Sequence, residues 1–356
     1  MKVLFTARAS LFTQPGGDTQ QIVQTADTLR ALDVAVDIRL RGEAIDWLAY
    51  DIVHFFNIGR PADILYALTK IKVPLVVSSI WVEYGEWDKR QGGFRGFLAR
   101  RFGSFATEYF KTIARSGNGS DQLPGLSYLL NGQKKAMEKV LRQAVVVVAS
   151  STSEVKRLDA TFGIAAKCHV IPLGILPLEA EIETPEPRAG VICVGRIEGL
   201  KNQLNLIRAA RNAPWQLKLI GKAALNQPSY FEQCLLEATD NVEFTGWLLS
   251  EHVKEQYKSA NVLVLPSYFE TFGLVALEAL ACGCNLVLAN RPDMNEIFAG
   301  KALFCDPNNP EDIRQKIEIA LKLPEPHLTE AEYNRYNWRS IATEIKAHYA
   351  VVTGLG

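Results

Sequence analysis

Short apolar runs and helix-spaced apolar positions alternate along most of the chain. Residues 1–6 read as a buried strand. Residues 20–32 form an amphipathic helix with Ile22, Val23, Ala26 and Leu29 on one face, and residues 34–40 alternate as a strand. Further strands are expected at 51–56, 73–78, 143–149 and 168–172, with a helix opened by Pro61 and another over 152–162. After residue 187 the alternation restarts, with strands near 189–194, 216–220, 242–244, 261–265, 286–289 and 302–305. Helices lie between most of these strands, and two more are expected at 310–321 and from Trp338 to about 351. This regular succession predicts an α/β fold with parallel sheets.

Two stretches break the rhythm. Residues 81–142 begin with an aromatic loop (Trp81, Tyr84, Trp87). A helical run over 94–115 follows, with Phe94, Phe97, Leu98, Phe102, Phe105, Tyr109 and Ile113 near helical spacing. Its polar positions are mostly Arg and Lys, and a polar loop and a helix at 128–142 come after it. Such an aromatic stripe suits core packing; with its basic flank it also suits an amphipathic surface for anionic membrane or a lipid-linked acceptor. The second stretch, 176–187, holds three prolines and four glutamates with little periodicity, and reads as the linker between two domains.

At 356 residues the chain exceeds one ordinary core, which agrees with two domains. Lys+Arg and Asp+Glu are both 39, so no overall basic charge points to nucleic acid. The longest apolar run, 144–149, is strand-sized and far short of a membrane span. Arg8 interrupts the first apolar segment too early for a signal-peptide core. The six cysteines are mostly far apart and several sit in apolar runs, so buried free thiols in a reducing cytosol are expected rather than disulfides or zinc.

The chemistry gathers around residues 263–290. An apolar strand runs into Pro266-Ser267, a polar loop carries Glu270 and Thr271, and Gly273 precedes a helical run over 274–281. Unpaired N–H groups and a partial positive charge at a helix start attract anions such as phosphate. Gly273 permits close approach to the backbone, and Thr271 is positioned to cap the helix. Glu270 and Glu278 can accept hydrogen bonds from hydroxyls. Together these features suit a sugar nucleotide; the plain alternative is a capped helix with two ordinary surface glutamates. A second loop, residues 194–202, follows the first strand after the linker and is bracketed by Gly195 and Gly199. Its Arg196 and Lys201 can hold a diphosphate, or can simply be solvated cations. Gly221, ending the next strand, is a weaker signal. Gly16-Gly17 after the first strand offers amides to a phosphate or sugar, and a plain turn fits equally well. The sequence has no G-x-G-x-x-G after the first strand and no P-loop, which lowers dehydrogenase and ATPase readings. His54 and His169 read as structural.

The second half resembles the retaining family 4 glycosyltransferases, which have the GT-B fold. The resemblance rests on Val194-Gly195-Arg196-Ile197-Glu198-Gly199-Leu200-Lys201-Asn202, Leu219-Ile220-Gly221, Asn241-Val242-Glu243-Phe244-Thr245-Gly246 and Tyr257-Lys258-Ser259-Ala260-Asn261. It continues through Pro266-Ser267, Glu270-Thr271-Phe272-Gly273 with Glu278, Asn295-Glu296 and Phe304-Cys305-Asp306-Pro307. The first half matches loosely, at Gly16-Gly17, Asp51-Ile52-Val53-His54 and Ser151-x-Ser153-Glu154. The resemblance implies two Rossmann-like domains facing across a cleft: an acceptor domain over 1–173, a donor domain over 174–337, and a final helix, 338–356, returning to the first domain. It also implies that Arg196 and Lys201 bind the donor's diphosphate. Glu270 would hold the donor sugar's hydroxyls, aided by the amides of Phe272, Gly273 and Leu274, and Glu278 would bind the ribose. Residues near Trp247 and Leu248 would flank the nucleobase.

The expected activity is thus retaining, metal-independent transfer from a nucleotide-diphosphate sugar to a glycan or lipid-linked acceptor, with no cofactor. The expected place is the cytoplasm, with peripheral contact at the inner membrane face. Two departures stand out. Many relatives have a histidine after the strand near residue 75, where this chain reads Ser78-Ser79-Ile80-Trp81. The usual Asn-Gly at the hinge is Leu173-Gly174. The rival readings are a nucleotide-sugar epimerase of the same fold and a non-catalytic partner subunit.

Overall fold

The computed structural model describes residues 1–82, 87, 93–117, 122–175 and 188–354. Tyr84 and the linker at 176–187 lie outside the described residues, as do the side chains of Phe94 and Leu98. In chain order the elements are β1 (Lys2–Ala7), α1 (Gly17–Arg30), β2 (Ala35–Leu40), β3 (Ile52–Phe56), α2 (Ala62–Leu65), β4 (Leu75–Ser78), α3 (Gly93–Gly117), α4 (Leu126–Gln143), β5 (Val146–Ala149), α5 (Thr152–Phe162) and β6 (Cys168–Val170). There follow β7 (Val191–Val194), α6 (Gln203–Ala210), β8 (Leu217–Ile220), α7 (Pro228–Glu237), β9 (Val242–Gly246), α8 (Ser250–Ser259), β10 (Val262–Leu265), α9 (Leu274–Ala281) and β11 (Asn285–Ala289). The last are α10 (Pro292–Ile297), β12 (Ala302–Cys305), α11 (Pro310–Ala320), α12 (Glu330–Arg335) and α13 (Trp338–Thr353).

These elements form two compact units, Met1–Gly174 with Arg335–Gly356, and Ile175–Asn334. Each holds one six-stranded sheet, and all described strand pairs are parallel. The central strands are short and almost wholly apolar, as in Val-Val-Val-Ala of β5 and Val-Leu-Val-Leu of β10, because helices cover both faces and leave no solvated side.

In the first unit the order is β2-β1-β3-β4-β5-β6. Its core includes Leu4, Val53, Phe55, Val77, Val140, Val147 and Leu158. The closing element is α13, capped by the Asn337 side chain accepting from the Arg339 amide at 2.8 Å. Trp338, Ile341, Ala342, Ile345 and Tyr349 make its buried stripe. Large apolar side chains buried in this way contribute about 1.5–3 kcal/mol each. Gly174 lies against Trp338, where a Cβ would come within 2.7 Å of the indole. Lys346 donates to the Leu32 carbonyl at 2.7 Å. Tyr349 meets His54 of β3, whose other ring nitrogen is 2.9 Å from Ser78 Oγ.

The helical reading of 94–115 and 128–142 needs correction. Gly103 (φ +80) interrupts α3 and Gly132 (φ +71) interrupts α4, so each is two shorter helices. The aromatic stripe divides accordingly. Phe105 packs toward Phe162 and Tyr109 stacks on the buried Tyr128, whereas Phe97, Phe102 and Ile113 are exposed. No described helix is long and apolar enough to cross a membrane. All six cysteines are free, five of them buried and Cys168 half-buried.

In the second unit the order is β9-β8-β7-β10-β11-β12. This is a doubly wound arrangement, whose chain reverses direction of travel across the sheet between β7 and β10. Ligands of such sheets bind beyond the carboxyl ends of the strands at that reversal. The loops after β7 and β10 are the two that carry the candidate chemistry.

Candidate functional site

The loop after β7 is built to stay open and fixed. Gly195 and Gly221 lie so close that a Cβ on Gly221 would stand 2.1 Å from the Gly195 carbonyl oxygen; with φ +146 at Gly221, only glycine fits. Backbone bonds continue the pairing past the strands, from Gly195 N–H to Ile220 O at 2.9 Å and from Ile197 N–H to Lys222 O at 2.9 Å. Gln203 then grips the loop from below, donating to Arg196 O at 2.8 Å and accepting from the Glu198 amide at 3.3 Å. Asn202, buried and at φ +60, donates to Pro266 O and Pro307 O at 3.0 and 2.6 Å. It thereby ties this loop to the one after β10. The Tyr268 amide adds a bond to Leu200 O at 2.9 Å.

That tie brings Lys201 and Glu270 together. Lys201 Nζ stands 2.7 Å from Glu270 Oε1, with both side chains largely buried. Ser267 Oγ donates to the same oxygen at 2.7 Å. Burial opposes the charge on Lys201, but the Glu270 carboxylate and its hydrogen bond outweigh it, so the lysine pKa is raised and the ammonium persists. Cys193 lies beneath, its thiol pushed up to about 12 chiefly by burial, so it is an inert packing group. Arg196 is more than half exposed, 3.5 Å from Glu198 Oε1, and turned to solvent.

Helix α9 follows. Leu-Val-Ala-Leu-Glu-Ala-Leu-Ala is rich in strong helix formers and is buried around most of its girth. Its N-cap is Gly273, at φ +75, with no side-chain capping bond. Thr271 therefore does not cap this helix, contrary to expectation: the left-handed Gly273 stands between it and the first turn. Phe272 is buried, which leaves its amide rather than its ring as a ligand contact, and Leu274 is buried as well. Glu278, half-exposed on α9, accepts from Tyr257 Oη at 3.2 Å. Burial and then Glu278 itself raise the Tyr257 pKa well above 10, so the phenol stays a donor. At the end of β9, Trp247 is exposed with Lys222 Nζ 5.3 Å from its ring centre, and Leu248 beside it is half-buried.

The second unit thus joins Gly195, Lys201, Gly221, Glu270 and Gly273 around the sheet reversal. Gly16 and Gly17 belong to the first unit, at the start of α1, where Arg8 braces the loop by bonds to Asp18 at 2.7 and 3.0 Å. His54 is fully buried and held by Tyr349 and Ser78, with its pKa lowered to about 3 by burial, which is a structural role. Ser267, Tyr257 and Lys222 had no assigned role in the sequence. Ser267 and Tyr257 stood within the segments that carry the family resemblance, but no spacing singled out their side chains.

Residues 177–338 match the family model for glycosyl transferases group 1. An uncharacterized glycosyltransferase of Methanocaldococcus jannaschii is 30% identical over 173 residues, 45% of this chain and 44% of that protein. The chain therefore spans less than half the length of that relative. Sucrose-phosphate synthase from Thermosynechococcus elongatus superposes with a TM-score of 0.73 at 16% identity, over 100% of both chains. Anabaena HepE in complex with UDP-glucose superposes at 0.65 and 15% identity, over 100% of this chain and 98% of that one.

Proposed function

Starting from a chain that carries a group 1 glycosyl transferase domain and has the GT-B fold, we propose that it is a retaining, metal-independent glycosyltransferase of family 4. Its donor is a nucleotide-diphosphate sugar. The observation that carries this reading is the Lys201–Glu270 pair at the reversal of the second sheet, walled by Gly195 and Gly221. The pair sets a cation for phosphate beside an acceptor for hydroxyls. One oxygen of Glu270 takes both Lys201 and Ser267, leaving the other to face sugar hydroxyls. Binding of UDP-glucose by the similar Anabaena protein supports a donor of this class.

In the reaction, the bond between the anomeric carbon and the phosphate oxygen loosens first, and its electron pair passes to the diphosphate. Lys201, Arg196 and the start of α9 stabilise that growing charge, a preorganised electrostatic effect. An acceptor hydroxyl attacks from the same face and gives its proton to the departing phosphate, so no protein nucleophile is needed. Glu278, oriented by Tyr257, takes the ribose hydroxyls, and the exposed Trp247 with Leu248 flanks the base.

Thermal stabilisation by UDP-, GDP- and ADP-sugars identifies the donor, because a ligand of the folded state raises its apparent stability. Lys201→Ala and Glu270→Gln are then expected to fold normally and to lose about a hundredfold or more in transfer. Near-normal rates in both variants refute the assignment. Conversion of donor alone into an epimer identifies the epimerase instead.

The first unit supports a glycan or lipid-linked acceptor presented at an anionic membrane from the cytoplasmic side. Phe97, Phe102, Phe110, Leu126 and Leu130 are exposed near Arg100, Arg101, Lys134 and Lys135, which are exposed too. Residues 89–92 of this stretch lie outside the described residues. Binding to anionic vesicles at low salt, lost on Phe97→Ser with Phe102→Ser, is the expected result; indifference to such vesicles removes the membrane reading.

A further inference from the structure

One backbone position in the first unit is strained and held so by a buried carboxylate. Ile80, just past β4, has φ +41, a conformation that a β-branched residue adopts only under constraint. Its neighbours are fixed on both sides. The Ser79 amide bonds to Val148 O at 2.9 Å, and the Trp81 ring is buried against Phe162. Between them stands Glu154, 1% exposed. Its Oε1 accepts from Ser79 Oγ at 2.6 Å and from the Trp81 amide at 2.8 Å; its Oε2 accepts from the Ser150 amide and hydroxyl, both at 2.8 Å.

Glu154 is the third residue of helix α5, after the cap Ser151, whose side chain accepts from the Glu154 amide. In a capping box such a glutamate turns back toward the cap. Here one oxygen turns back, to Ser150 just before the cap, and the other reaches across to the end of β4 and clamps the residues on either side of Ile80. Among the described residues, the N–H and C=O of Ile80 make no hydrogen bond. Asn57, also left-handed at φ +75, ends the neighbouring β3, and its amide bonds to Ser78 O at 2.9 Å. Two left-handed residues therefore stand side by side at the carboxyl edge of one parallel sheet, the edge where α/β sheets bind ligands.

We propose that the backbone of Ile80 binds a hydroxyl of the acceptor, and that Glu154 is the positioning residue that keeps it in place to do so. A donor and an acceptor on one residue, both without a partner among the described residues, match a hydroxyl, which both gives and takes a hydrogen bond. The half-buried isoleucine side chain beside them gives an apolar contact for the C–H face of a sugar ring. This inference rests on the glycosyl-transfer reading.

Glu154→Gln tests it, because an amide keeps the shape but places a donor where two donors already point. The expected loss is about tenfold in kcat/KM for the acceptor, with the donor KM unchanged. Ile80→Gly reaches the left-handed region without steric cost and keeps the backbone groups. It gives up the side chain's apolar contact and so lowers acceptor kcat/KM by itself, but E154Q should cost less in that background. Three results overturn the proposal: acceptor kcat/KM within about threefold of wild type in E154Q, equal losses for donor and acceptor, or the same loss in both backgrounds. A binding readout separates this idea from the activity it rests on. In protein isotope-labelled at isoleucine, millimolar glycerol and methyl α-D-glucopyranoside should shift the Ile80 amide resonance, identified by its loss in Ile80→Val. An unmoved resonance overturns the proposal even if the wild type transfers no sugar, and a shift sustains it.

Discussion

Acid should loosen this protein through His54. The imidazole is fully buried between the rings of Phe5 and Phe56, at 5.2 and 4.2 Å, and faces Tyr349 and Ser78, neither of which carries charge. Burial lowers its pKa from 6.5 to about 3. Between those two values the unfolded chain binds a proton there and the folded chain does not. Stability is therefore full above the unfolded pKa, falls as the pH drops below it, and goes on falling until the folded pKa is reached. At about pH 5 the gap of roughly 1.5 units corresponds to about 2 kcal/mol.

Urea denaturation at about pH 7.5 and about pH 5, read by hydrogen exchange in peptides covering β3 and α13, measures this. The control is H54Q, which keeps polar groups for Tyr349 and Ser78 but does not titrate. His348, whose pKa is also lowered by burial and by His169, titrates in both proteins and cancels from the difference. Wild type should lose about 2 kcal/mol more than H54Q over that interval. Equal losses in the two proteins refute the reasoning.

Two further substitutions probe the fold. Asp63→Asn strips the partner from Arg41, where both side chains are nearly inaccessible and 2.8 Å apart, with Arg60 also on Asp63. A cost of about 3–5 kcal/mol in urea denaturation is expected, while replacing both Arg41 and Asp63 by apolar residues should cost much less. Gly221→Ala forces a Cβ to 2.1 Å from the Gly195 carbonyl and should displace the Lys201 loop, abolishing donor stabilisation in thermal melts. Gly103→Ala is the control: its Cβ meets nothing within 4 Å, so only the positive φ is penalised, by about 1–2 kcal/mol.

The elements were legible because fully buried parallel strands leave a plain trace, short apolar runs parted by helix-spaced ones. The bounds of α5, α9 and β12 agree with the pattern, and most others lie within two or three residues of it. The breaks at Gly103 and Gly132 were hidden, since apolar spacing continues through both and a lone glycine is tolerated within a helix. The residues that meet at the second sheet's reversal were visible as types on two loops. Their meeting was not, because Asn202 makes it by bonds to residues 64 and 105 positions away. The Glu154 clamp was hidden because a glutamate three residues after Ser151 is what a helix start calls for in any case, and only the fold shows one of its oxygens reaching across to the end of β4. Thr271 failed as a cap because a left-handed glycine intervened.

The tie between His54 and Tyr349 spans 295 positions, with all of the second unit between them. During synthesis the strand that carries His54 is made long before its partner. At about 5–20 residues per second the interval is roughly a quarter of a minute to a minute. For that time the second unit can finish folding while the first keeps the α13 stripe's docking surface uncovered. The last helix thus acts as a latch on the timing of assembly, and a released chain truncated near residue 334 should hold a complete second unit together with a first unit still open to chaperones.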